Sequence, residues 1–105
     1  MGIEIDDLRK LCNTGNIRWT EHVLKRLMQR GISRSDVIQA IQTGEIIAQY
    51  PDDYPFPSCL ILGLSIAGQI LHVVCGRGVD EIWMITAYYP DPGEWDNEFR
   101  KKVLQ

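Results

Sequence analysis

His22, Arg26 and Arg30 recur at intervals of four in the stretch TEHVLKRLMQRG. An α-helix turns by 100° per residue, so the three side chains fall within about 80° of one face. Two guanidiniums can clamp the oxygens of a phosphodiester, and an imidazole can exchange a proton near neutral pH. A plain solvated helix face is the competing explanation. Against it, no acidic residue stands four positions beyond Arg26 or Arg30, whereas charged surface helices usually alternate sign. The stripe therefore suits chemistry at a phosphate, or anion binding without chemistry.

His72 lies in ILHVV, a stretch that reads as a strand. Alternation sets Ile70, His72 and Val74 on one face, and Leu71, Val73 and Cys75 on the other. In EIWMITAYY, alternation groups Ile82, Met84, Thr86 and Tyr88 against Trp83, Ile85, Ala87 and Tyr89. The simplest register would put His72 on the Thr86 face. His72 is then either a hydrogen-bonded structural residue or a second acid/base beside Tyr88. Tyr50 leads into PDDYPFPS, a stiff loop that either covers a core edge or offers Tyr54 and Phe56 as a stacking platform for an unpaired base. Asp52 and Asp53 are adjacent and point apart, with no third ligand evident, so no metal is expected there. The GRG around Arg77 lacks the spacing of a nucleotide fingerprint, and no GxSxG is present.

These residues need a scaffold. Asp6 or Asp7 can cap a first short helix ending near Asn13–Gly15, with NIRW as a connector. Thr20 caps the helix that carries the stripe, Val23, Leu24, Leu27 and Met28 form its apolar face, and Gly31 stops it. Ser33 and Asp36 cap a third helix that ends at Gly44. Strand grammar follows: EIIAQY, then SCLILGLSI and QILHVVC around an Ala67–Gly68 turn, then EIWMITAYY. The tail PDPGEWDNEFRKKVLQ spaces Trp95, Phe99 and Val103 four apart and predicts a closing helix. The expected fold is α+β: two to three N-terminal helices, an antiparallel sheet of about four strands and a C-terminal helix.

Length and composition agree with that plan. A chain of 105 residues fits one domain over residues 1–105 and can bury a core without staples. Cys12, Cys59 and Cys75 are odd in number and lack zinc spacing, so they read as core side chains. No apolar run nears eighteen residues, the start MGIEIDDLRK is too charged for a signal peptide, and Asp6 breaks the myristoylation pattern, so no membrane span is predicted and the cytoplasm is the expected compartment. The net charge of −3 argues against indiscriminate nucleic-acid binding. It is uneven, however: from Arg18 to Arg34 there are five basic residues and one acid, Glu21. A basic patch on an acidic body can hold a phosphate selectively.

TEHVLKRLMQRGIS, DVIQAIQTGEIIAQYPDDYPFPSCLILG, LHVV and ITAYYPDPGEW together resemble the bacterial family catalogued as domain of unknown function 4258, over about Arg18 to Trp95. That family is thought related to RelE- and MqsR-like ribonuclease toxins. Its members also occur as toxin tips of larger proteins, and beside genes for small zinc-binding antitoxin-like proteins. The resemblance implies a RelE-like toxin architecture and metal-free RNA cleavage without a cofactor. It implies RNA and a small zinc-binding antitoxin as partners. Carried over by position, it points to His22, Arg26, Arg30, Tyr50, His72, Thr86 and Tyr88. One departure is Gly76-Arg77-Gly78, where relatives often have an acidic turn; Arg77 is then an added phosphate contact or unrelated. The expected function is a metal-independent endoribonuclease, the toxin of a toxin–antitoxin pair. In it His22, Arg26, Arg30, His72 and Tyr88 are catalytic, and Arg77, Tyr50 and Thr86 bind substrate. The alternative is a non-catalytic module that binds an acidic protein or a phosphate-bearing ligand.

Overall fold

The structure, a computed structural model, describes residues 2–103. Two of the three helices among the described residues, the second and third, begin at side-chain caps, and all three follow apolar periodicity. α1 (Ile5–Asn13) begins at Glu4 without a side-chain cap. Asp6 and Asp7, expected as caps, lie instead in the first turn, where their charge suits the positive helix end. α2 (Glu21–Gln29) is capped by Thr20, whose hydroxyl accepts the Val23 N–H at 3.1 Å. It stops at Arg30, and Gly31 follows at φ 69°, the left-handed region that favours glycine. α3 (Arg34–Thr43) opens with reciprocal 3.0 Å bonds between Ser33 and Asp36 and ends at Gly44. Arg9 of α1 donates to the Ile41 and Gly44 carbonyls at 3.2 and 2.7 Å, and so satisfies groups that the end of α3 leaves open.

The strands are β1 (Ile17–Arg18), β2 (Glu45–Tyr50), β3 (Ser58–Leu64), β4 (Ile70–Arg77) and β5 (Ile82–Tyr88). They form one sheet in the order β1-β5-β4-β3-β2. The expected sheet of about four antiparallel strands is thus a five-stranded mixed one. β1 pairs in parallel with Ile82–Trp83 of β5, and the other pairings are antiparallel. Two residues are too few to show alternation, so NIRW looked like a connector.

β4 and β5 are not in simple register. His72 pairs with Tyr88 and Val74 with Thr86, but the next pair is Cys75 with Met84. Ile85 is therefore the extra residue of a bulge, and the faces exchange across it. Met84 and Ala87 lie opposite Cys75 and Val73, on the helix side. Thr86 and Tyr88 lie with Val74 and His72 on the other. This corrects the grouping of Ile82 and Met84 with Thr86 and Tyr88, while His72 does share the Thr86 face.

Leu8, Cys12, Val23, Leu27, Val37, Ala40 and Ile41 from the helices pack on Ile61, Leu71, Val73, Cys75, Ile82 and Ala87 of the sheet. Gly63 permits α3 to lie directly on β3, because a Cβ there would fall 2.1 Å from the Ala40 carbonyl oxygen. All three cysteines are buried free thiols, as read from the sequence.

The predicted C-terminal helix is absent from the described residues; Leu104 and Gln105, also assigned to it, lie outside them. Residues 91–103 form turns closed by a bridge between Trp95 and Lys102. The Asp96 carboxylate takes the N–H groups of Glu98 and Arg100 at 3.1 and 3.0 Å, local bonds that compete with helical pairing. Asp96 and Val103 close the hairpin with N–H bonds to the Lys101 and Glu94 carbonyls. The described residues contain no helix long and apolar enough to cross a membrane.

Candidate functional site

The helices cover one sheet face; the C-terminal hairpin covers part of the other. Under the hairpin lies His72, fully buried. Its ring meets Trp95 edge-on at 4.4 Å and Tyr88 at 5.3 Å. Nε2 is 2.8 Å from the Phe99 carbonyl oxygen. A carbonyl only accepts, so Nε2 carries the proton and Nδ1 accepts from the Tyr88 hydroxyl at 3.3 Å. Burial lowers the His72 pKa from its ordinary 6.5, and the bond to Phe99 acts in the opposite direction.

Tyr88 is shifted the other way. Burial raises its pKa above 10.0, the Tyr50 phenol and Glu94 add to the rise, and Arg30 opposes it. The two shifts together keep the Tyr88–His72 pair neutral, with the proton on the phenol. Arg30 reaches this group from the end of α2. Its Nη1 donates to Thr86 Oγ1 at 3.0 Å and to the Ala87 carbonyl at 2.9 Å. β1 pairs with β5 only as far as Trp83, so the β5 edge is open beyond it. Arg30 satisfies a carbonyl on that open edge, a local reason for its position. The fold thus sets two hydrogen-bonded pairs side by side, Arg30 with Thr86 and Tyr88 with His72, with Arg30 and Tyr50 in electrostatic reach of Tyr88.

His22 and Arg26 complete the stripe but not the network. Both are exposed, and neither makes a hydrogen bond or ion pair among the described residues. α2 buries only Val23 and Leu27. Met28, expected on the apolar face, is 76% exposed, because the helix flanks the sheet at β5 and a narrow stripe suffices. The result is one exposed guanidinium and one exposed imidazole without partners among the described residues, and one anchored guanidinium, along one helix.

Arg77 is not brought to this group. Its Nε bonds Asp7 at 2.6 Å, and Nη1 bonds the Gly78 and Val79 carbonyls at 2.6 and 2.8 Å. It lies five residues along β4 from His72, roughly 16 Å away, and ties α1 to the sheet. The ion pair with Asp7 raises its pKa.

Sequence reasoning missed Glu94, Trp95 and the Phe99 carbonyl, which were assigned to a helix. The signal was present in Pro90, Pro92, Gly93 and Asp96, all turn formers. Among the described residues, no three His, Cys, Asp or Glu side chains group so as to hold a metal ion. What the arrangement offers is oriented proton donors and acceptors beside fixed and free positive charge.

No curated protein and no solved structure matches the chain. One family model does, over residues 19–89, which span α2, α3, β2 to β5 and hence the linked residues of the site. The chain belongs to that family, described as Domain of unknown function (DUF4258).

Proposed function

We propose that this chain is a metal-independent endoribonuclease, the toxin of a toxin–antitoxin pair, with a small zinc-binding antitoxin as its partner. The observation that supports this reading is the stripe itself: His22 and Arg26 are exposed without partners, in line with an Arg30 anchored beside Tyr88. An unpaired guanidinium next to an unpaired imidazole has no role in holding the fold, and its natural complement is a phosphodiester.

In this reaction the 2′-oxygen attacks phosphorus and its proton passes to a base. The 5′-oxygen leaves with a proton from an acid, giving a 2′,3′-cyclic phosphate and a 5′-hydroxyl. His22 serves as one proton handler and Tyr88 as the other, with the buried His72 behind Tyr88 taking or returning the phenol proton without touching the RNA. Arg26 and Arg30 stabilise the charge that builds on the pentacoordinate phosphorus, and Tyr50 and Thr86 line the approach. The test is incubation of the purified chain with RNA in excess chelator. Cleavage to cyclic-phosphate ends, lost in Arg26→Ala, supports the reading; intact RNA contradicts it.

A second reading, a non-catalytic module for a phosphate-bearing or acidic partner, is favoured by one observation. His72 is fully buried and both its nitrogens are engaged, so the closed hairpin leaves it unable to touch a ligand. Saturable RNA or phosphopeptide binding without turnover would support that reading.

A further inference from the structure

The sheet face that carries His72 and Tyr88 continues past the bulge to a concavity. Its volume is about 360 Å³ and its walls are Tyr54 and Phe56 from the loop, Trp83 and Ile85 of β5, and Gly76 of β4. Phe56 and Trp83 pack against one another with ring centroids 5.5 Å apart, which fixes one wall. Tyr54 is 95% exposed and Ile85 is also exposed, so a large aromatic ring stands beside the cavity with nothing stacked on it. Asp53 supplies polarity. One of its oxygens accepts from the Ser58 hydroxyl, and the other makes no hydrogen bond among the described residues. Arg18 lies over the Trp83 ring at 4.7 Å and is paired with Glu81 at 3.1 Å, so it braces the ring without adding free charge.

A hollow of this size is at the small end for ligand sites. Aromatic walls suit a flat ring, since every base has a π-face to stack. A free carboxylate oxygen accepts from an N–H edge. The strand register sets the distance to the linked residues: Trp83 pairs with Gly76 and Tyr88 with His72, four residues of β4 or roughly 13 Å. That is within the reach of a dinucleotide. We infer that this cavity is a nucleobase subsite, formed by Tyr54, Phe56, Trp83 and Ile85, and that Asp53 selects guanine or cytosine over uracil. Guanine and cytosine present amino N–H groups, as adenine does, whereas the single N–H of uracil is flanked by oxygens that a carboxylate repels, so the discrimination is against uracil. This rests on the ribonuclease reading for the identity of its ligand.

The test uses the full chain and 15N NMR, with guanosine, cytidine and uridine 3′-monophosphates as probes. The Trp83 indole N–H, assigned with Trp83→Phe, should shift saturably with the guanosine or cytidine probe and more weakly with uridine. Tyr54→Ala, a change at an exposed position, should weaken binding about tenfold, and Asp53→Asn should level the preference. Lys10→Ala, a change at an exposed position of α1, should bind as the native chain does. No shift at Trp83 with any probe, or unchanged binding in Tyr54→Ala, overturns the subsite. If the shifts occur but the native chain leaves RNA intact, the subsite stands and the ribonuclease reading falls. If RNA is cut with the same base preference by Tyr54→Ala and Asp53→Asn, the subsite falls and that reading stands.

Discussion

The chain has two histidines, His22 and His72, and they occupy opposite environments. His22 is exposed on a helix, without hydrogen bond or ion pair among the described residues. His72 is sealed between a strand and a hairpin, with Tyr88 on one nitrogen and the Phe99 carbonyl on the other. The same side chain therefore has a different physical task at each place. At His72 the surroundings fix the tautomer and the ring, and the side chain is part of what holds the hairpin down. At His22 no hydrogen bond or ion pair among the described residues holds the imidazole, so substitution there leaves the packing as it is. Arg30 and Arg77 against Arg26 repeat the contrast: the first two satisfy backbone carbonyls, and the third makes no hydrogen bond or ion pair among the described residues.

This difference can be broken or sharpened by experiment, beginning with the largest effect. His72→Ala leaves a cavity, an unpaired Phe99 carbonyl and a partner-free Tyr88 hydroxyl. It should cost about 3 kcal/mol, a fall in melting temperature of roughly 15 °C, measured by thermal unfolding. A shift of only a degree or two would mean that the hairpin does not rest on His72.

Next comes the pH dependence that burial imposes. The folded-state pKa of His72 is depressed below 6.5. Above 6.5 both states are neutral at this residue. Below it the unfolded chain binds a proton that the folded chain resists, so stability falls as pH falls from 6.5 towards the depressed value. Denaturant titrations should show this slope, and His72→Gln should flatten it. A slope unchanged in His72→Gln would assign it to other groups.

Arg30→Met removes two hydrogen bonds at the open β5 edge and should cost about 1 kcal/mol. Hydrogen exchange near Ala87 would report the loosened contact; protection equal to that of the native chain would show that α2 needs no such tie. The smallest stability effects belong to His22→Ala and Arg26→Ala, each within about 0.5 kcal/mol. A larger loss at either would mean that the stripe supports the fold.

Local signals made much of this structure readable. Thr20, Ser33 with Asp36, Gly31 and Gly44 mark helix ends by chemistry that does not depend on the rest of the chain. EIIAQY became β2 as written. The fold and the site diverged from expectation where the cause was not local. β1 exists because two residues meet β5 in parallel, and the Ile85 bulge exists because β4 and β5 must reconcile two registers. Neither leaves a period in the sequence. The tail misled for another reason: the spacing of Trp95, Phe99 and Val103 suggested a helix, but Asp96 binds backbone N–H groups and turns the chain back over His72. For the site, the helix spacing grouped His22, Arg26 and Arg30. Only the tertiary structure joins Arg30 to Thr86 and Tyr88 to His72, and takes Arg77 away to Asp7.

The most direct test of the central claim is inducible expression in a bacterial host, with the native chain compared to His22→Ala at equal soluble yield, while growth and RNA integrity are followed. Growth arrest with cleaved RNA is expected for the native chain. Normal growth with intact RNA is expected for His22→Ala, a rate loss of about a hundredfold or more in a protein of unchanged melting temperature. Intact RNA with the native chain, or equal cleavage by the variant, would contradict it.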